Sequence, residues 1–323
     1  MGIGLSSTCL NQTQNNICFR ALSERKAYFP VLQELQIAKY SFRPIKEGMP
    51  VGICFLADTH SRIKAPCRVA MKISEKTDLL ILAGDIPEDC DTLKKIYAVY
   101  DLSSEITHGQ IPVIYARGNH DMRGEFANEF IKYIGTHNGN TWFTFRLGSL
   151  WGIVLDCGED KSDSNPEYGG LIDCYTMRQQ ETEWLQSLMS VASTEYESPG
   201  ITKRIAVCHQ PFTTKYLFAD NPKLFDIESN VYSNWTQVLN DMKIDLMLCG
   251  HSHILATVKP GEQLSAHFAT FPIYIAATPM CAKAQQYWYD SNASYVGSWI
   301  LIDDRHEIIE AIDDLGNSLK MCE

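Results

Sequence analysis

Five short apolar runs in this chain each end in a cluster of Asp, His, Asn or Gln. Residues 51–57 lead into Asp58-Thr59-His60, residues 79–83 into Gly84-Asp85, and residues 111–116 into Arg117-Gly118-Asn119-His120-Asp121. Residues 205–208 lead into His209-Gln210-Pro211, and residues 246–249 into Gly250-His251-Ser252-His253. Apolar runs of this length with polar exits read as buried strands. In an open α/β sheet, ligands gather in the crevice beyond the carboxyl ends of the strands. Five strands that deliver such side chains to one rim would build one site, so the pattern predicts an α/β fold organised around that rim.

The side chains at these strand ends are Asp58, His60, Asp85, Asn119, His209, His251 and His253. Carboxylate, imidazole and amide oxygen form a nitrogen and oxygen donor set suited to manganese, iron or zinc, and no cysteine is among them. Seven ligands exceed what one tetrahedral ion takes, and they suit two metal ions sharing one carboxylate. Two ions ~3.5–4 Å apart can clamp a phosphoryl group and turn a bridging water into hydroxide near neutral pH. Each residue also has an ordinary reading. Asp58 and Asp85 suit turns at strand ends, Asn119 after Gly118 is a common turn pair, and His209 suits a hydrogen-bonded core. The combination outweighs these, because five of the nine histidines lie in the blocks. His108, His137, His267 and His306 read as surface or structural, and Asp156 as structural.

The blocks resemble the calcineurin-like metallophosphoesterase superfamily, whose pattern is Asp-x-His, Gly-Asp, Gly-Asn-His-Asp/Glu, a lone His and Gly-His-x-His, in that order. All five stand here in order, from Asp58 to His253. The resemblance implies a four-layer sandwich of two mixed β-sheets flanked by helices. It places Asp58, His60 and His253 on a first metal and Asn119, His209 and His251 on a second, with Asp85 bridging. His120 would stand outside the metal shell, oriented by Asp121, and protonate the leaving oxygen or stabilise the phosphoryl oxygens. The implied reaction is hydrolysis of a small phosphodiester or phosphomonoester, nucleotides included, by a metal-bound hydroxide. The rival readings are a non-catalytic scaffold of the same fold and, behind it, a nuclease. Purple acid phosphatases carry a tyrosine ligand where this chain has Glu88, and protein Ser/Thr phosphatases carry Asp-Arg-Gly where it has residues 86–90, Ile-Pro-Glu-Asp-Cys. Neither subfamily fits. Arg117 and Arg123 flank the central block and are candidates for phosphate contact.

Composition narrows the partners. The chain has 323 residues, 45% hydrophobic and 21% charged, as in an ordinary globular protein. A formal net charge of -11 argues against stable nucleic-acid binding, which needs a lysine and arginine surface. A small anionic substrate remains compatible, because bound cations can attract it. Eleven cysteines without CxxC spacing read as reduced thiols, and hence as a cytoplasmic protein. No stretch approaches the ~18 apolar residues of a membrane span. The start lacks a secretory signal, while Gly2 and Ser6 match a myristoylation pattern.

Residues 1–48 read as a partly irregular N-terminal extension and 49–323 as the metallophosphoesterase domain. Within the extension, 24–39 has mixed helical spacing and 40–44 suits an edge strand. Helices are expected over 66–74, 92–105 with Asp91 as cap, 124–134, 178–191 and 235–242. Residues 142–145 and 150–155 read as a hairpin, and 158–175 as a long loop able to overhang the site. Strands near 272–276, 298–302 and 307–312 read as a β-rich second layer.

Overall fold

A computed structural model describes residues 14–41, 44–215, 227–276, 278–279 and 292–322. The myristoylation pattern lies outside the described residues. The segment before residue 42 departs from its sequence reading. It forms β1 (Gln14–Phe19) antiparallel to β4 (Gln36–Ser41), enclosing the short pair β2 (Leu22–Glu24) and β3 (Val31–Leu32). The helical spacing of 24–39 is overridden because its apolar side chains line no buried face. Tyr28, Phe29, Leu32 and Ile37 are all exposed.

Two larger sheets carry the rest. One contains β5 (Val51–Leu56), β6 (Leu79–Ala83), β7 (Val113–Ala116), β14 (Thr278–Pro279), β15 (Tyr295–Ile302), β16 (Glu307–Asp313) and β17 (Ser318–Cys322). Its main order is β17-β16-β15-β5-β6-β7, parallel from β5 to β7 and antiparallel elsewhere. The other contains β8 (Phe143–Leu147), β9 (Leu150–Leu155), β10 (Lys203–Cys208), β11 (Leu246–Cys249), β12 (Ala256–Val258) and β13 (Ile273–Ile275), in the order β12-β13-β11-β10-β9-β8. Here β9, β10, β11 and β13 run parallel, between antiparallel edges. The expected hairpin is β8 and β9. The C-terminal strands form no separate layer: β13 joins the second sheet, while β15 and β16 complete the first.

Outside the edge strand β7, where Val113 is exposed, the apolar runs are continuous because both faces of their strands are buried. Alternation sorts each residue to one side. Ile53, Phe55, Leu79 and Ile81 face Ile205, Val207, Leu246 and Leu248 between the sheets. Their neighbours Cys54, Leu56, Leu80 and Leu82 turn outward against Val69, Ala70, Val99 and Leu102 of α1 (Lys64–Ile73) and α3 (Ala98–Thr107). On the opposite side, Ala206, Cys208, Met247 and Cys249 pack on Leu185, Leu188, Trp235 and Leu239 of α5 (Cys174–Met189) and α6 (Ser229–Asp241). The result is helices, sheet, sheet, helices.

Four helices differ from their sequence readings, α6 among them by starting at Ser229 instead of 235. The expected helix over 92–105 is split into α2 (Leu93–Ile96) and α3, and Thr92 rather than Asp91 caps it, its side chain accepting from the Lys95 N–H. Residues 124–134 keep one turn, α4 (Ala127–Phe130). In α5 the buried positions Cys174, Arg178, Glu181, Leu185 and Leu188 recur at helical spacing. Arg178 and Glu181 are polar members of that stripe. Arg178 is tolerated there because it donates to the carbonyls of Cys157 and Glu159 and to the Glu228 carboxylate, each at 2.9 Å.

Candidate metal centre

The carboxyl ends of β5, β6 and β7 meet those of β10 and β11, so the five polar exits face one another across two sheets rather than along one. Hydrogen bonds pin the junction. His209 Nδ1 lies 2.6 Å from the Ala83 carbonyl, joining the second sheet to the first. The His251 N–H donates to both oxygens of Asp58 at 3.1 and 2.9 Å. Asp58 and His60 donate their N–H groups to the carbonyls of Gly84 and Asp85, both at 3.0 Å. The chain turns sharply to aim these side chains. Asp58, His60, Asp85, His251 and His253 all have positive φ, from 45° to 69°. Left-handed backbone at a residue other than glycine costs about 1 kcal/mol or more, and it persists where surrounding structure imposes it.

Three groups of side chains converge: Asp58, His60 and His253; His60, Asp85 and His120; and Asp85, His209 and His251. Within each, one donor atom per residue lies within 4.8 Å of the others. His60 Nε2 is 3.1 Å from His253 Nε2, and His253 Nε2 is 3.2 Å from Asp58 Oδ1. His209 Nε2 is 3.1 Å from Asp85 Oδ2 and 3.3 Å from His251 Nδ1, which is 2.9 Å from Asn119 Oδ1. These are lone-pair atoms crowded together, and cations relieve that crowding. An outer imidazole nitrogen fits as well. His209 Nδ1 is committed to the Ala83 carbonyl, which leaves its Nε2 as a donor to a metal. The residues therefore fit a pair of ions.

Without cations the charges balance one another. Burial alone would lower His209, but the charge and hydrogen bond of Asp85 outweigh it and push the imidazole up to about 10. Burial likewise opposes ionisation of Asp85, and His209 overcomes it and holds the carboxyl well below the usual carboxylate range. Burial and then the charge on His209 hold His251 down to about 4. A proton on His209 thus occupies the place of a cation and must leave when one binds. Its pKa near 10 fixes the sign: metal affinity rises with pH from 6 to 9, about tenfold per unit for each proton displaced. Competition titrations with zinc across that range, with proton release read in parallel, check this. A flat profile would contradict it.

The hydrogen bonds of Asp121 run within its own turn and to the neighbouring strand end. Its buried carboxylate accepts from the Gly118 N–H and the Tyr115 hydroxyl, both at 2.7 Å, and from the Asp85 N–H at 3.3 Å. Burial, then the charge on Asp85, raises it to about 7. The His120 ring is instead placed by Nδ1, 2.6 Å from the Glu88 carbonyl, and its own N–H donates to Asp85 Oδ1 at 2.9 Å. Asp121 therefore braces the turn, and Glu88 supplies the contact to the ring. The sequence reading missed that contact because a backbone carbonyl leaves no mark on residue type.

The two arginines diverge. Arg117 is held by buried Asp156, Nε to Oδ2 at 2.7 Å, and its Nη2 lies 3.0 Å from the Met177 sulfur. Arg123 stays beside the cluster, with Nη1 3.4 Å from His120 Nε2. It donates to both oxygens of Glu159 at 2.8 and 2.7 Å and to Asp160 at 3.1 Å. Glu159 and Asp160, both in the loop expected to overhang the site, carry no sequence signal beyond the length of that loop.

No curated protein sequence matches the chain. Among solved structures, the purple acid phosphatase PPD1 from yellow lupin (Lupinus luteus) seeds superposes with a TM-score of 0.59 at 10% identity, over 91% of this chain. The match spans 57% of the lupin protein, so this chain corresponds to little more than half of it. PhoD superposes with a TM-score of 0.51 at 11% identity, over 89% of this chain and 75% of PhoD. At such identities the likeness is one of fold. The sequence itself goes further, because the model of calcineurin-like phosphoesterases matches residues 52–255. That span holds all five strand ends, and the chain belongs to the calcineurin-like phosphoesterase family.

Proposed function

We propose that this protein hydrolyses a small phosphodiester or phosphomonoester at a two-metal centre. Asp58, His60 and His253 hold one ion, Asn119, His209 and His251 the other, and Asp85 bridges them. The observation that carries this reading is the overlap of the clusters: Asp85 belongs both to the group with His60 and to the group with His209 and His251. Two cations at such a centre supply Lewis acidity to phosphoryl oxygens and make a bound water nucleophilic near neutral pH. Manganese, iron and zinc all suit the donor set.

The chain's own residues do the rest. With Nδ1 held at the Glu88 carbonyl, His120 presents Nε2 to the departing oxygen and gives it a proton. Asp85 fixes the backbone of His120 through its Oδ1 atom, so one carboxylate sets both ion spacing and acid position. Arg123 closes the far side of His120 Nε2. Its charge is largely matched by Glu159, which leaves it a positioning group rather than the principal phosphate ligand.

The test is hydrolysis of p-nitrophenyl phosphate and bis-p-nitrophenyl phosphate by metal-stripped protein reloaded with manganese, iron or zinc. Turnover of either ester is expected, and the preferred one separates monoesterase from diesterase. Metal bound without turnover of any ester would instead identify a non-catalytic scaffold.

A further inference from the structure

A cleft of about 460 Å³ opens between the segment after His120 and the long loop after β9. Met122 and Arg123 form one wall, Tyr168, Leu171 and Ile172 the other, and Glu159 lies at its base. Arg123 is shared with the metal centre, since its Nη1 lies 3.4 Å from His120 Nε2. The base is a built structure. The Tyr168 hydroxyl donates to Glu159 Oε2 and Asp160 Oδ1, both at 3.0 Å, and Arg123 spans the same two carboxylates. The rim mixes Leu171, which is 90% exposed, with the exposed carboxylates of Glu125 and Glu167. Volumes of about 300–1,000 Å³ accept a drug-sized organic molecule. A groove of similar volume lined by Val99, Tyr133 and Phe143 contains no residue of the metal cluster.

We infer that this cleft receives the leaving alcohol of the substrate, and that the alcohol is a neutral, ring-bearing organic group of about nucleoside size. The inference rests on the two-metal phosphoesterase reading. If His120 protonates the departing oxygen, the group attached to that oxygen lies on the His120 side of the centre, where the cleft begins. Met122, Leu171 and Ile172 interleaved with polar side chains suit a flat group with an apolar face and polar edges. The charged lining is one arginine against Glu125, Glu159 and Glu167, a balance that disfavours a leaving group bearing further phosphates. Leu171 is then a specificity-determining residue. Its exposed side chain is covered when the alcohol binds.

Calorimetric titration of adenosine into the metal-loaded full chain tests binding without chemistry. It is paired with kcat/KM for adenosine 5′-monophosphate and for ethyl phosphate, two alkyl monoesters differing in alcohol size. Saturable binding of one adenosine per chain is expected. Leu171→Ser should weaken it at least about fivefold and lower the ratio of the two kcat/KM values by a similar factor. Met71→Ser, which removes an exposed apolar side chain of α1 outside the cleft lining, should move neither. Absence of saturable adenosine binding, or binding and a ratio indifferent to Leu171→Ser, would overturn the inference while leaving hydrolysis intact. Adenosine bound with neither ester hydrolysed would instead overturn the phosphoesterase reading, and the leaving-group role with it.

Discussion

Replacing His120 with alanine should lower kcat by roughly 10²–10⁴-fold, the range of a positioned general acid, while both metal ions remain bound. The ring packs edge-on to His60, with centroids 4.8 Å apart, and Nδ1 is taken by the Glu88 carbonyl. Nε2 is thus the nitrogen available to the reaction. His120 also belongs to a potential ligand group with His60 and Asp85, so a metal count by plasma mass spectrometry must accompany the kinetics. The leaving group separates the two roles. An acid matters most when the departing oxygen is a poor leaving group, so the loss should be larger for an alkyl ester than for a p-nitrophenyl ester. An equal loss for both, together with one missing ion, would make His120 a ligand instead.

Gly118→Ala should impair the site without replacing any proposed ligand. A β-carbon there would lie 2.2 Å from Asp85 Oδ1 and 2.5 Å from the Asp85 backbone nitrogen. Asp85 cannot retreat, because its backbone has a φ of 53° and Asp121 and His209 hold it from two sides. The expected cost is about 1–3 kcal/mol of stability from overpacking, and about 10–100-fold in metal affinity from a displaced ligand. Thermal unfolding and metal titration read the two effects separately. Gly250 is similarly placed, its added β-carbon falling 2.5 Å from Asp58 Oδ2. Gly135→Ala is the contrasting variant, since a β-carbon there meets nothing within 4 Å. A Gly118→Ala protein with the stability and metal affinity of wild type would contradict this account of the motif.

The strand-end blocks that converge in the structure were legible because a buried strand and its polar exit leave a joint mark. A strand buried on both faces must be apolar throughout, and a ligand at its end must be polar, so the change of character at Asp58, Asp85, Asn119, His209 and His251 locates both. The partition of these strands into two sheets has no such local mark. The pairing of β15 with β5 joins Ser298 to Phe55, and nothing near either residue announces it. The N-terminal strands failed for a related reason: the mixed helical spacing of 24–39 marks no buried face, since Tyr28, Phe29, Leu32 and Ile37 are exposed. Side-chain direction was the other blind spot. Asp121 lies next to His120 in the chain, yet its carboxylate turns inward to Gly118 and Tyr115, and Arg117 turns to Asp156 while Arg123 remains at the site. The structural reading of Asp156 agrees with that pairing. In α5 the period was readable and the polar members were not, because Arg178 is satisfied by carbonyls and a carboxylate distant in the chain.

The central claim is that one carboxylate holds two ions together. Its most direct test is the metal content of wild type and of Asp85→Asn, each stripped, reloaded with manganese or zinc, and freed of excess by dialysis. Two ions per chain are expected in the wild type and at most one in the variant, with kcat for p-nitrophenyl esters lowered by about 100-fold or more. A variant that keeps two ions and wild-type turnover, or a wild type that turns over ester with a single ion, would contradict it.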